Sequence, residues 1–279
     1  MTDPYPVGYP AAASAVPRLG VLLTVAYDGS RFAGFARQPT ARTIAGELDG
    51  AVRALDATAS LVRGASRTDA GVHALSQRVA FDTSMDIPSR GWVLALAQHT
   101  SDEVAIVSAA RVPAGYDPRD HARKKTYRYS ILRSPLRDPF LRQRSWRIGE
   151  RLNQQLMRDE ADALLGRHDF RAFRSSTDAR IDTVRTIFRA GLREDSADPR
   201  VLHVEIEGDR FLHRMMRIIV GALVDTGRGR LMPGAVRSAL HSGNRNELGI
   251  TAPPDGLCLV TLDLDDEGSD KWPDHLSPR

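Results

Sequence analysis

The stretch that decides the fold reads FLHRMMRIIVGALV and spans residues 211–224. On a helix of about 3.6 residues per turn, one side of this stretch and both of its flanks are apolar. The narrow opposite side carries three arginines, Arg210, Arg214 and Arg217. A half-buried guanidinium needs an anion nearby because it loses hydration. The pattern therefore predicts a mostly buried helix whose arginines meet a carboxylate or a phosphate, unless they reach solvent along their apolar stems.

Strands and further helices are predicted on both sides of this helix. Apolar runs and alternating patterns predict strands at residues 22–27, 77–83, 104–111, 127–132, 183–192, 201–207 and 257–264. Helical periodicity and end signals predict helices at residues 43–55, 92–99, 153–165 and 233–242. Because strands outnumber these helices, we expect an α+β fold with a largely antiparallel sheet and helices on one side.

The order of the elements favours two similar α/β sandwiches that meet near residues 113–117. We therefore predict an N-terminal α/β subdomain over residues 20–115 and a C-terminal α/β subdomain over residues 116–265. Residues 1–19, which are rich in proline, are expected to form a disordered tail, and residues 266–279 an acidic tail.

Composition narrows the class of protein. The chain has 279 residues, of which 42% are hydrophobic and 27% are charged, as is typical of a folded globular protein. The single cysteine, Cys258, can form neither an internal disulfide nor a zinc site, and the histidines lack metal-ligand spacing. The longest apolar run, residues 218–224, is far shorter than the roughly 20 residues of a membrane helix. We expect a cytoplasmic protein without a signal peptide, a membrane span or a metal.

Charge is distributed unevenly along the chain. Residues 111–151 contain 12 basic and 4 acidic residues, whereas residues 261–279 contain 6 acidic and 2 basic ones. A focused basic surface attracts polyanions such as nucleic acid. The same count also fits an ordinary solvated surface rich in arginine.

The segment GASRTDAGVHA, residues 64–74, places an arginine, two hydroxyls, a carboxylate and a turn glycine close together. One interpretation is a functional loop. The other is a plain turn, in which Asp69 caps backbone amides and Gly71 adopts a positive φ.

Residues 66–74 (SRTDAGVHA) resemble the signature of the TruA family of tRNA pseudouridine synthases. Other segments resemble that family in the same order, over about residues 20–264: YDG at 27–29 with Phe32, Gly34 and Gln38-Pro39; RKKTYRY at 123–129; FLHRMMRIIVG at 211–221; and TAPP at 251–254 with Gly256-Leu257. One departure concerns the opening motif, in which Phe35 and Ala36 stand where the family has Trp-Gln. This departure concerns the RNA contacts of that loop and not the chemistry.

The resemblance implies the pseudouridine synthase fold, with ferredoxin-like halves around a central cleft. It also implies isomerisation of uridine to pseudouridine at nucleotides 38–40 of the tRNA anticodon stem-loop, by a homodimer that needs no cofactor and no metal. Asp69 corresponds to the catalytic aspartate. Three roles stay open for it: attack on C1′ of the ribose, addition to C6 of the base, or removal of the C2′ proton.

Further site residues follow from the resemblance. Arg217 corresponds to the arginine that pairs with the aspartate, so that each is the counter-ion of the other. Tyr127 corresponds to the tyrosine that stacks on the target base and exchanges a proton, although its alternating strand also fits a core aromatic residue. Arg67 corresponds to the arginine that fills the space left by the flipped uridine, or it contacts a phosphate. Arg214 is expected to bind substrate, and Leu257 to line the pocket.

Two other functions are compatible with these residues. The first is a non-catalytic tRNA-binding protein or RNA chaperone on the same scaffold, and the second is a pseudouridine synthase with a different RNA target. The presence of Asp69, Arg217 and Tyr127 together favours the enzyme that acts on tRNA.

Overall fold

A computed structural model describes residues 18–273. This part of the chain forms eleven strands: β1 (Leu19–Tyr27), β2 (Arg63–Gly64), β3 (His73–Thr83), β4 (Val104–Val112), β5 (Ala122–Arg133), β6 (Trp146–Ile148), β7 (Gly166–Asp169), β8 (Val184–Glu194), β9 (Val201–Gly208), β10 (Leu257–Leu264) and β11 (Ser269–Trp272). It also forms five α-helices: α1 (Ile44–Leu55), α2 (Ser89–Ala97), α3 (Gln154–Asp162), α4 (Met215–Gly227) and α5 (Ala235–Ser242).

The strands form one large sheet in the order β11-β4-β1-β3-β10-β5-β9-β8-β7, with β2 paired to β3 and β6 paired to β5. Most neighbours are antiparallel, as predicted. Alternate residues of β1 and β5 belong to the same hydrophobic core as buried residues of all five helices. The helices therefore pack on one face of the sheet. The mixed α/β class is confirmed, whereas the two subdomains and the cleft between them stay predictions.

Side-chain caps explain where two of the helices begin. The Thr43 hydroxyl accepts a hydrogen bond from the Gly46 amide at 3.2 Å, immediately before α1. The Asn153 side chain accepts from the amides of Gln155 and Leu156 before α3. Such caps satisfy amides that have no partner in the first helical turn.

Strand β10 joins the two sequence halves. It pairs in parallel with β3, where Cys258 lies opposite His73, and antiparallel with β5, where Leu259 lies opposite Tyr127. Strand β3, which follows the 64–71 loop, and the tyrosine strand β5 are thereby separated by one strand only. This pairing decides where the functional side chains meet.

The predicted helix at residues 211–224 is wrong at its beginning. Helix α4 starts at Met215, and Arg214 before it has a left-handed backbone with a φ of 61°. The amide of His213 donates to Asp178 at 2.9 Å, and its carbonyl accepts from the amide of Ser175 at 3.0 Å. Because these bonds hold the segment outside the helix, Arg210 and Arg214 do not form a helical stripe with Arg217.

The C-terminal acidic segment was predicted only as a tail, yet residues 269–272 form strand β11 at the edge of the sheet. Ser269 pairs with Arg111, and Trp272 pairs with Ala109 of β4. The N-terminal tail predicted over residues 1–19 lies almost entirely outside the described residues. Within residues 18–273, no helix is long and apolar enough to cross a membrane.

Candidate active site

Close backbone packing shapes the segment from β2 to β3. The amide of Phe35 donates to the carbonyl of Thr68 at 3.0 Å. A Cβ atom on Gly64 would collide with the Phe35 ring, and one on Gly34, whose φ is 99°, would lie 2.9 Å from the Thr68 carbonyl. Phe35, which departs from the family motif, is therefore a buried support beneath the loop.

Residues 69–72 form the predicted turn. The amide of Val72 donates to the carbonyl of Asp69 at 3.1 Å, and Gly71 has a φ of 79°. A left-handed φ at this position favours glycine. The Asp69 side chain, however, caps no amide of the turn, so the interpretation as a plain turn accounts for the glycine and not for the aspartate.

The Asp69 carboxylate faces the guanidinium of Arg217 and the imidazole of His213, both from the other half of the sequence. Arg217 Nη1 donates to Asp69 Oδ2 at 3.2 Å, and His213 Nε2 lies 3.4 Å from Asp69 Oδ1. The side chains of Asp69 and Arg217 are 20% and 15% exposed. The pair is therefore shielded from bulk water and still reachable from the surface.

A second set of bonds fixes the Arg217 guanidinium. Its Nε donates to the carbonyl of Ala252 at 2.8 Å, and the amide of Ala252 donates back to the carbonyl of Arg217 at 3.0 Å. One turn along α4, a Cβ atom on Gly221 would collide with the carbonyl oxygen of Ile250. Glycine therefore lets the 250–252 segment approach α4 closely enough to orient Arg217.

Tyr127 lies beneath the same loop. Its hydroxyl and that of Ser66 share a hydrogen bond of 3.0 Å, and its ring meets the ring of Phe211 edge to face, with 5.0 Å between centroids. Burial raises the pKa of Tyr127 to about 12, and the negative charge of Asp69 adds to this rise. The phenol therefore stays protonated near neutral pH.

Lys125 is two residues before Tyr127 on β5 and also contacts the loop. Its ammonium donates to the carbonyl of Ala65 at 2.9 Å. Burial, together with the positive charges of Arg180 and Arg210, lowers the pKa of Lys125 to about 8. This lysine anchors the first residues of the loop without a carboxylate partner among the described residues.

The other residues singled out in the sequence lie at different depths. Arg67 is exposed at the loop and makes no hydrogen bond or ion pair within residues 18–273, whereas its neighbours Ser66 and Thr68 are buried. Leu257 is buried at the start of β10, opposite Tyr129. Arg214 points to a pocket beside α4 and does not contact Asp69.

The basic segment 111–151 carries much less free charge than its composition indicates. Seven of its twelve cations form ion pairs: Arg111, Arg119, Arg123, Lys124, Arg128, Arg133 and Arg144. Several partners come from the acidic end of the sequence, namely Asp263, Asp265 and Asp270. The acidic end therefore neutralises three of these seven cations by direct contact.

The sequence does not reveal the contact of His213 with Asp69 or that of Lys125 with the loop. Both residues stand inside motifs that had been singled out, but a histidine or lysine in a motif does not show which way its side chain points. Among the described residues, no three His, Cys, Asp or Glu side chains come together as a metal site.

Comparison with known proteins gives a consistent result. Residues 161–265 match the family described as tRNA pseudouridine synthase. A protein named tRNA pseudouridine synthase A from Pelobacter propionicus is 37% identical over 242 residues, which cover 87% of this chain and 98% of that protein. Proteins of the same name from Geobacter sulfurreducens and Thermoanaerobacter sp. are 38% and 36% identical, over 86% and 87% of this chain and 97% and 98% of their own lengths.

Proposed function

The chain belongs to the tRNA pseudouridine synthase A family, and from this membership we propose that Asp69, Arg217 and Tyr127 form the active site of an isomerase that converts uridine to pseudouridine in tRNA. The single observation that carries the site assignment is the ion pair of Asp69 with Arg217, at 3.2 Å across 148 residues of sequence. The two side chains come from a loop and a helix that are far apart in sequence, and both remain partly exposed.

The reaction needs a carboxylate beside the sugar and a surface that retains the base. The bond from N1 to C1′ breaks, the uracil turns, and a bond from C5 to C1′ forms; the C5 proton leaves to solvent and N1 gains a proton. Asp69, held at both oxygens by Arg217 and His213, supplies the carboxylate. All three roles named for it start from this anionic, oriented group, whether it attacks C1′, adds to C6 or removes the C2′ proton.

The neighbouring residues have supporting roles. Tyr127 retains the detached uracil by stacking, and its protonated phenol exchanges a proton with the base. Arg67, exposed and unpaired among the described residues, fills the space left by the flipped nucleotide. Leu257, at the start of β10, contributes apolar surface beside the tyrosine strand.

Three finer statements belong to the same proposal. The substrate position is the anticodon stem-loop at nucleotides 38–40, the enzyme acts in the cytoplasm where its tRNA substrate is found, and it works as a homodimer. The first statement is tested with tRNAs that carry uridine at a single one of these three positions. Light scattering of the purified protein tests the last.

Release of tritium from tRNA labelled at C5 of uridine tests the reaction itself. We expect release by the wild type and none by Asp69→Ala, because the variant lacks the carboxylate but keeps the unpaired cations outside the Asp69–Arg217 pair that bind RNA. Binding is measured in parallel by fluorescence anisotropy of labelled tRNA.

The matched control is Asp102→Ala, which removes an exposed carboxylate outside the site and should release tritium at the wild-type rate. Equal release by Asp69→Ala and wild type would remove Asp69 from the mechanism. Binding without any release by the wild type would favour the non-catalytic tRNA-binding protein.

A further inference from the structure

An open pocket of about 420 Å³ lies beside the N-terminus of α4. Three arginines from three separate segments line it: Arg174 follows a short 3-10 helix at 171–173, Arg214 precedes α4, and Arg245 begins the 3-10 helix Arg245–Leu248. None of the nine lining residues is acidic. The positive end of the α4 dipole adds to the field of the three guanidinium groups.

These guanidinium groups have no counter-ion among the residues that the structure describes. None of the three forms an ion pair with a carboxylate within the described part of the chain, whereas seven cations of the basic segment do. Arg245 is half-buried and held by bonds from its Nη1 to the Gly249 carbonyl and from its Nη2 to the Thr251 hydroxyl, at 3.0 and 3.1 Å. Burial lowers the pKa of Arg245, and no neighbouring carboxylate opposes this shift.

Three short stretches of chain connect the pocket to the pair of Asp69 and Arg217. Ile218 and Thr251 line the pocket, and the residues next to them, Arg217 and Ala252, are bonded to each other at the Asp69 site. Arg214 lines the pocket, while His213 before it contacts Asp69. The pocket therefore adjoins the place at which a nucleotide would meet Asp69.

We infer that Arg174, Arg214 and Arg245 form a binding site for one backbone phosphate of the RNA, next to the nucleotide that is isomerised. This inference rests on the proposed function. A phosphate bound by these arginines fixes which nucleotide of the RNA lies at Asp69. Arginine is suited to this task because its planar donor fork matches phosphate oxygens. The three residues act as positioning residues and not as catalytic ones.

Anticodon stem-loop RNAs in which one phosphate at a time is replaced by a neutral methylphosphonate test the inference. In the wild type, one replacement near the target uridine should raise the Kd and the KM about tenfold. Arg214→Gln and Arg245→Gln should raise the KM of the unmodified RNA by a similar factor, leave kcat nearly unchanged, and reduce the slope of log K against log salt by about one.

The decisive comparison combines the two changes. In either variant, the sensitive methylphosphonate should have a clearly smaller effect than in the wild type, because one of the three arginine contacts to that phosphate is already lost. An equal effect of that replacement in variant and wild type would overturn the inference, as would an unchanged salt slope in both variants.

Two controls keep the result interpretable. Arg214 makes no side-chain hydrogen bond within residues 18–273, so its variant should fold normally, and Arg245→Lys should restore part of the affinity. Arg53→Gln, an exposed arginine on α1, should leave the KM and the salt slope unchanged. Absence of tritium release by the wild type would refute the proposed function, whereas normal release with unaltered variants would refute only the phosphate site.

Discussion

The cations of the basic segment 111–151 and those of the pocket beside α4 differ in whether a carboxylate of the chain is their partner. The segment has twelve basic residues, but most of them meet carboxylates of β9, of the acidic C-terminal segment or of nearby loops. The pocket has only three, and none of them has such a partner among the described residues. The number of cations in a stretch of sequence therefore says little about where an external anion binds.

Arg217 shares one feature with each of these two groups of cations. Its partner is inside the chain, as in the basic segment, but that partner is the carboxylate proposed for catalysis. Lys125 gives a third solution, since it has no carboxylate nearby and its pKa falls to about 8 through burial and the neighbouring Arg180 and Arg210. Substitutions at Arg217, Lys125 and Arg123 test whether each cation is paired with a carboxylate of the chain or is available to an external anion.

The largest effect is expected for Arg217→Lys, which keeps the charge and removes the planar fork. An ammonium group cannot bond Asp69 and the Ala252 carbonyl in the same geometry. We expect kcat in the tritium assay to fall by roughly 100- to 1,000-fold, with tRNA binding nearly unchanged. Normal turnover would show that charge alone is sufficient at this position, and a parallel loss of binding would place Arg217 with the pocket arginines.

A pH-dependent effect on stability is expected at Lys125. Between pH 8 and pH 10.5 the unfolded chain carries more protons on this lysine than the folded one, so its contribution to stability rises with pH through this window. The full change is on the order of 3 kcal/mol. In Lys125→Met the contribution is absent, so the variant should lose relative stability against the wild type from pH 8 to pH 10.5.

Urea unfolding of both proteins at several pH values measures this difference, and titrations common to both cancel. If the difference in the free energy of unfolding between the two proteins stayed constant from pH 8 to pH 10.5, the pKa of Lys125 in the folded protein would not be lowered. The methionine should also remove the bond to the Ala65 carbonyl, which adds a pH-independent offset.

The smallest effect is expected for the double variant Arg123→Gln with Asp265→Asn. It removes an ion pair of the basic segment without changing the net charge. Because Arg123 already has a carboxylate partner, the salt slope of tRNA binding should not change. A slope reduced by about one would mean that Arg123 leaves Asp265 to bind a phosphate, and would contradict the distinction between paired and unpaired cations.

Much of the fold could be predicted from local patterns. The pattern at residues 257–264 predicts a strand with the bounds of β10, and the helix predicted over residues 43–55 covers α1 together with its capping residue Thr43. These signals are local, because apolar alternation and a capping hydroxyl act over a few residues. The beginning of α4 was missed because it depends on Asp178 and Ser175, which are distant in sequence and bond the backbone of His213.

The candidate site divides in the same way. The positive φ of Gly71 follows from a turn motif, so it could be predicted from the sequence alone. The partner of Asp69 could be proposed only through the resemblance to a known family, since no pattern relates residues 69 and 217. Of the pocket arginines, only Arg214 was singled out in the sequence, because segments from different parts of the chain bring Arg174 and Arg245 next to it.

The position of β10 has a consequence for biosynthesis. The ribosome produces the segment with Asp69 first, then the helix with Arg217, and only afterwards the strand that lies between β3 and β5. A nascent chain that stops before Leu257 lacks β10, the strand that pairs with both β3 and β5 and so aligns the loop with Tyr127. The pairing that aligns the Asp69 loop with Tyr127 can therefore form only after β10 has been synthesised.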